Sequence, residues 1–163
     1  MTEQTLQIQE STLYPEIIQY LRHEGFLAIG ETKIQGNKRP DIIFEFEGMS
    51  FVIEVKLDDR EVAVDASLQA YSYAQTLQTE NYIVLIFPKH LKNQSIYPQQ
   101  ITQIVLSTPI YAALFTNIWR TKIEETKITD LFQELKNKLI RKEITIDFNS
   151  VVEDINKIMF CEL

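Results

Sequence analysis

The chain has few of the residues on which many catalytic and metal sites depend. It contains one cysteine, Cys161, and two histidines, His23 and His90. A single cysteine excludes an internal disulfide and a cysteine cluster for zinc, and two histidines leave little material for histidine-based sites. The longest apolar run, Tyr82–Phe87, is far shorter than the ~20 residues that span a bilayer. Since the first residues also lack a signal-peptide pattern, the sequence predicts a cytoplasmic protein with no membrane contact.

Basic charge is scarce as well. The formal net charge is −7, whereas domains that bind nucleic acid are usually basic. The distribution is uneven: residues 1–88 carry 6 basic and 14 acidic residues, residues 89–142 carry 9 and 4, and residues 143–163 carry 1 and 5. The carboxylates of residues 1–88 are suited to binding a divalent cation, and the basic side chains of residues 89–142 are suited to binding a polyanion such as DNA. We therefore expect only weak nucleic-acid binding by this domain alone.

Length and apolar spacing predict one mixed α/β domain. A chain of 163 residues has the size of a single domain. The pattern favours a sheet of about five strands flanked by helices, with the first three strands as a meander. The predicted elements are a helix at Tyr14–Glu24, strands at Phe26–Ile34, Asp41–Glu47 and Ser50–Leu57, a helix over 60–79, a strand at Tyr82–Phe87, a helix at Gln99–Leu106, a strand at Tyr111–Thr116 that Asn117–Ile123 extends, and helices at Thr129–Ile140 and Ser150–Phe160.

The second and third predicted strands form a hairpin. Gly48-Met49 suits a two-residue type II′ turn, which favours glycine at its first central position. In that register Asp41 lies opposite Lys56. A slip of one residue would move Asp41 to the other face of the sheet.

Three polar side chains of this hairpin share one face. Because side chains alternate along a strand, Asp41, Glu54 and Lys56 project to the same side. The two carboxylates become diagonal neighbours with Cα atoms roughly 7–8 Å apart. At that separation they can share a cation at about 2.0–2.1 Å per bond. The hairpin is therefore a candidate metal site.

The charges of Asp41, Glu54 and Lys56 also allow a purely structural explanation, in which they form a salt bridge and bind no metal. Glu-x-Lys occurs four times in the chain, but only Glu54 and Lys56 lie inside an almost purely apolar strand. Charges there are costly unless they are paired or bound to metal. A salt bridge between Asp41 and Lys56 would meet that requirement too.

The motif and its surroundings resemble a known superfamily. Pro40-Asp41, twelve residues, and then Glu54-Val55-Lys56 resemble the PD-(D/E)XK nucleases, and the likeness covers about residues 10–120. The resemblance implies a restriction-endonuclease-like fold and hydrolysis of DNA phosphodiester bonds. Asp41, Glu54 and the Val55 carbonyl would hold Mg²⁺, with Mn²⁺ as a substitute, and Lys56 would orient or deprotonate the attacking water.

Within that superfamily the sequence is most similar to the N-terminal nuclease domains of type I restriction subunits and related single-chain restriction enzymes. Those domains carry Gln-x-x-x-Tyr on the helix after the motif, and Gln69 and Tyr73 match it. The resemblance assigns both to catalysis and to nucleic-acid binding, although a polar helix face with one packed aromatic would look the same. Glu16 falls where the family places an accessory carboxylate; the alternative is a first-turn carboxylate favoured by the helix dipole.

The predicted function is the DNA-cleavage module of a restriction or related defence enzyme. We expect a nuclease core over about 10–120, a helical extension over about 128–161, and other domains or subunits that supply motor, methyltransferase or recognition parts. Lys89 and Lys92, in the basic region, are candidate nucleic-acid contacts. The alternative is a catalytically inert module of the same fold that serves assembly or DNA docking.

Overall fold

The computed structural model describes residues 4–116 and 128–144. They form an α/β domain in which helices flank a five-stranded mixed sheet, so the predicted fold class is confirmed. The elements are β1 (Leu6–Gln7), α1 (Glu10–His23), β2 (Leu27–Gly30), β3 (Ile42–Phe46), β4 (Met49–Asp58), α2 (Ala63–Thr76), β5 (Tyr82–Pro88), β6 (Ser95–Ile96), α3 (Ile101–Ser107), β7 (Tyr111–Phe115) and α4 (Ile128–Ile144).

The strand order of the sheet is β2-β3-β4-β5-β7. The first three strands form the predicted antiparallel meander, and α2 provides the crossover that makes β5 parallel to β4. β7 then pairs antiparallel with β5. A short ribbon of β1 and β6, which the sequence did not predict, joins the N-terminal residues to the basic loop after β5.

The two faces of the sheet are covered differently. One face carries the main apolar core, to which α1, α4 and the inward residues of β3 and β4 contribute. On the other face the buried alanines Ala66 and Ala70 of α2 lie against Val84 and Ile86 of β5. Small side chains such as these let a helix approach a sheet closely.

The β3–β4 turn differs from the prediction. Phe46 pairs with Met49, so the two turn residues are Glu47 and Gly48. Their φ angles are 51° and 74°, which is the type I′ pattern of two positive values. The predicted Gly48-Met49 turn of type II′ is wrong, because Glu47 adopts a left-handed conformation that non-glycine residues adopt only occasionally.

The corrected register keeps the predicted face of each side chain. Ile42 pairs with Ile53, which places Asp41 beside Glu54 and not opposite Lys56. The strands have shifted by two residues relative to the prediction. Because side chains alternate with a period of two, this shift leaves Glu54 and Lys56 on their predicted face.

Helix α1 begins earlier than predicted. It starts at Glu10 and contains Pro15 in its interior, whereas the prediction began at Tyr14. The predictions for 117–123 and 150–160 lie outside the described residues. In the part of the chain that the structure describes, no helix is long and apolar enough to cross a membrane.

Candidate active site

The site lies where β4 continues beyond its neighbour β3. Pairing between these strands stops at Ile53, so the next amides on that side of β4 have no strand partner. Two carboxylates accept them instead. The Val55 amide donates to Asp41 Oδ2 at 2.7 Å, and the Leu57 amide donates to Glu10 Oε1 at 3.2 Å. The open edge of β4 is thus lined by acidic side chains.

Asp41 is held at both carboxylate oxygens. The Tyr14 hydroxyl of α1 donates to Oδ1 at 2.6 Å, while the Val55 amide occupies Oδ2. Burial raises the pKa of Asp41, and these two hydrogen bonds oppose that rise. Burial and the adjacent Asp41 raise the pKa of Tyr14, so its hydroxyl keeps its proton at neutral pH and acts as the donor.

Glu54 is fully buried, and its carboxylate has few polar partners. Lys56 Nζ lies 2.6 Å from Oε1 in a direct ion pair, and among the described residues Glu54 has no other hydrogen-bond partner. Burial first, and then the negative charge of Asp41, raise the pKa of Glu54 to about 7, although Lys56 opposes the rise. A buried carboxylate in which one oxygen has no donor is rare and costly. Its oxygens are therefore suited to an additional cation.

Lys56 forms an ion pair with Glu54. The sequence also allowed a salt bridge between Lys56 and Asp41, but the ion pair of Lys56 in the described structure is with Glu54. Desolvation lowers the pKa of Lys56, but the adjacent Glu54 outweighs it, so the net shift is upward. The ammonium is therefore protonated at neutral pH in this arrangement. It is suited to orienting a water or stabilising negative charge, and less suited to removing a proton.

The donors present fit Mg²⁺. The carboxylates of Asp41 and Glu54 supply oxygen, and the Val55 carbonyl faces the same open edge as its amide, because the two groups of one strand residue point to the same side. Mg²⁺ prefers such oxygen ligands and usually keeps several waters, so one or two carboxylates suffice. Within residues 4–116 and 128–144 no group of three or more Asp, Glu, His or Cys side chains is placed to hold a metal. A site here would therefore depend on the two carboxylates, the carbonyl and non-protein oxygens.

Helix α1 brings Glu10, and not the predicted Glu16, to the open edge of β4. Glu16 accepts a hydrogen bond from the Thr102 hydroxyl of α3 at 2.8 Å, on an exposed part of the surface, and the structure does not bring it to the site. Glu10, in the first turn of α1, bonds the Leu57 amide and contributes to the raised pKa of Asp41 and of Glu54. The signal that could have found Glu10 is its place at the true start of the helix.

Gln69 and Tyr73 lie on the helix that covers the face of Glu54 and Lys56. Gln69 Nε2 donates to the Tyr73 hydroxyl at 3.0 Å. Gln69 is exposed, and among the described residues no hydrogen bond or ion pair joins Gln69 or Tyr73 to Asp41, Glu54 or Lys56. The pair is therefore on the expected side of the sheet but is not part of the cluster in this arrangement.

The two candidate basic contacts have different surroundings. Lys89 is exposed and lies 3.5 Å from Asp59 and 3.9 Å from Asp58, which partly neutralises its charge. Lys92 lines a cleft of about 320 Å³ beside the site. The other residues of this cleft are Gln9, Glu10, Ser11, Tyr14, Leu57 and Asn93. Lys92 is thus the better placed of the two lysines for a phosphate near the carboxylates.

Comparisons with protein-family models, with curated proteins and with solved structures found no match to this chain.

Proposed function

We propose that this domain is a Mg²⁺-dependent endonuclease of the PD-(D/E)XK type that hydrolyses DNA phosphodiester bonds as the cleavage module of a restriction or related defence enzyme. The observation that supports it best is the convergence of Asp41, Glu54 and Lys56 at the open edge of β4. Within that cluster the buried Glu54 carboxylate contacts the Lys56 ammonium through Oε1, and its Oε2 has no hydrogen-bond donor among the described residues. A purely structural trio would be expected to satisfy its own polar atoms.

The metal would be held by Asp41, Glu54 and the Val55 carbonyl, with Mn²⁺ able to replace Mg²⁺. When bound, the ion supplies Lewis-acid polarisation of the phosphate and lowers the pKa of a bound water. Asp41 needs no rearrangement for this role, because its carboxylate is already fixed by two hydrogen bonds. Glu54 would exchange the Lys56 ammonium for the ion.

Lys56 would then be released from Glu54. Its ammonium is part exposed, with 24% of the side chain accessible, so it can reach a water or a phosphate oxygen. There it orients the attacking water and offsets the negative charge that develops on the phosphate. The family resemblance implies 5′-phosphate and 3′-hydroxyl products.

The DNA path would follow the basic side of the cleft. Lys92 is placed to contact a phosphate next to the carboxylates, and Gln69 and Tyr73 could contact the strand from α2. Lys89 would contribute less while Asp58 and Asp59 neutralise it. Since the chain carries a net charge of −7, tight binding would require further domains or subunits with motor, methyltransferase or recognition roles.

An inert docking module of the same fold is the second candidate. The direct Lys56–Glu54 ion pair favours it, because the lysine already compensates part of the buried charge. An inert module has no reason to bind a divalent ion at this edge. Metal binding therefore separates the two functions.

Replacement of Lys56 tests the catalytic assignment. Lys56→Ala should retain Mn²⁺ binding and lose at least ~100-fold in single-turnover cleavage of plasmid or single-stranded DNA, the lower range for a positioned acid–base group. Lys136→Ala is the matched control, since Lys136 also forms a partly buried ion pair, with Glu24 at 3.5 Å. The control should cleave like the wild type.

Two results would count against the proposal. Cleavage by Lys56→Ala at the wild-type rate would remove Lys56 from the mechanism. A wild-type protein that binds no Mn²⁺ and cuts no DNA in Mg²⁺ or Mn²⁺ would favour the inert module.

A further inference from the structure

Tyr14 is a buried polar side chain that no sequence motif indicated. Its ring belongs to the main core and is 7% exposed, and its hydroxyl donates to Asp41 Oδ1 at 2.6 Å. This bond joins residues 27 positions apart in the chain. A tyrosine in a core usually needs one partner for its hydroxyl, and here the partner is the carboxylate of the proposed metal ligand.

Asp41 depends on that contact for its orientation. It lies just before β3 begins, so the strand ladder does not fix its side chain. The Tyr14 hydroxyl and the Val55 amide hold one oxygen each, which defines the rotation of the carboxylate group. Each oxygen keeps a further lone pair, and the two bonds together determine where those lone pairs point.

Helix α1 contributes two such contacts from one face. Glu10 and Tyr14 are four residues apart and therefore lie on the same side of the helix. Glu10 accepts the Leu57 amide of β4, while Tyr14 binds Asp41. The first turns of α1 thus connect directly to the open edge of β4.

We propose that Tyr14 is a positioning residue that orients the Asp41 carboxylate for a divalent cation. This inference rests on the proposed function of the site. Removal of the Tyr14 hydroxyl has two opposing effects on cation binding. The Asp41 carboxylate becomes more basic, which strengthens binding, and it becomes free to rotate, which weakens binding. Loss of an outer-shell partner typically weakens metal affinity or activity by about 10–100-fold, so orientation is expected to dominate.

Tyr14→Phe tests this with little change in packing, because it keeps the ring. Tyr20→Phe is the matched control: Tyr20 is on the same helix and packs its ring against Phe132, 5.9 Å between centroids. Calorimetric titration with Mn²⁺ should give an affinity about tenfold weaker for Tyr14→Phe, and an affinity like the wild type for Tyr20→Phe. Circular dichroism and the midpoint of urea unfolding establish that both variants are folded.

The outcomes separate this inference from the function on which it rests. If the wild type binds Mn²⁺ and Tyr14→Phe binds it equally well or more tightly, Tyr14 has only a structural role and the inference is wrong. A drop in stability with unchanged Mn²⁺ affinity leads to the same conclusion. If the wild type binds no Mn²⁺, the proposed function itself fails. Should Tyr14→Phe not fold, Tyr14→Met, which also removes the hydroxyl and whose flexible apolar side chain can fill the vacated space, provides the affinity comparison; Mn²⁺ binding equal to the wild type would overturn the inference.

Discussion

The two faces of β4 carry opposite kinds of side chain. On one face Ile53, Val55 and Leu57 are buried in the main core. On the other face Glu54 and Lys56 point toward α2. Because side chains alternate with a period of two, neighbouring residues of β4 lie either in the apolar core or on the charged face.

The main core stabilises the fold from one side only. Its aromatic rings are in direct contact: Phe44 stacks on Phe51 with centroids 4.7 Å apart, and Phe26 meets Phe44 edge-on at 5.2 Å. Burial of a large apolar side chain contributes about 1.5–3 kcal/mol. The α2 face has a smaller cluster, in which three of the six buried residues are alanines, and it also holds the Glu54 carboxylate, whose Oε2 has no hydrogen-bond donor among the described residues. A domain with a strong core on one face can tolerate an unfavourable charge on the other.

Substitutions on the two faces should therefore have unequal effects on stability. Ile53→Ala should lower the free energy of unfolding by about 2–5 kcal/mol, because it leaves a cavity in the main core. Glu54→Gln, one residue away, should change it by less than about 1 kcal/mol at pH 5. Urea unfolding in the presence of a chelator measures both. A loss from Glu54→Gln as large as that from Ile53→Ala would make the carboxylate a structural group.

Raising the pH should increase the difference in stability between the Glu54→Gln and Ile53→Ala variants. The pKa of Glu54 is about 7 in the folded protein, above its ordinary value of 4.5, so the folded state disfavours the charged form. Stability that is present below pH 4.5 is lost as the pH rises toward 7 and above, by at most about 3–4 kcal/mol, since one pH unit corresponds to about 1.4 kcal/mol.

The matched comparison uses the same variants. In chelator, Glu54→Gln should gain stability relative to the wild type between pH 5 and pH 8, whereas the deficit of Ile53→Ala should stay constant. Saturating Mg²⁺ should reduce the gain of Glu54→Gln, because the ion stabilises the ionised carboxylate. A difference between Glu54→Gln and wild type that does not change with pH would contradict the buried, unsatisfied state of this residue.

The sequence predicted the sheet and the polar face of β4 but not the turn that sets the register. Apolar strands and alternation carry a strong signal, whereas the positive φ of Glu47 depends on the twist of the completed hairpin. Glu54 and Lys56 keep their predicted face because the error was an even number of residues. A register error of one residue would have placed Glu54 and Lys56 in the main core.

The sequence did not predict the contacts between residues that lie far apart in the chain. Glu16 was predicted as the accessory carboxylate from the family resemblance, whereas α1 begins earlier than predicted and places Glu10 at the open edge of β4. The bond between Tyr14 and Asp41 has no local pattern either. Such contacts depend on how the helix lies across the sheet, and periodicity does not encode that.

Calorimetric titration with Mn²⁺ tests the central claim most directly. The wild type should bind one ion, and both Asp41→Ala and Glu54→Ala should lose this binding while remaining folded. Glu45→Ala is the control, since Glu45 is an exposed carboxylate on the same hairpin and accepts a hydrogen bond from the Ser50 hydroxyl at 3.4 Å. It should bind Mn²⁺ like the wild type. Unchanged binding in Asp41→Ala and Glu54→Ala, or no binding in the wild type, would contradict a metal site at the open edge of β4.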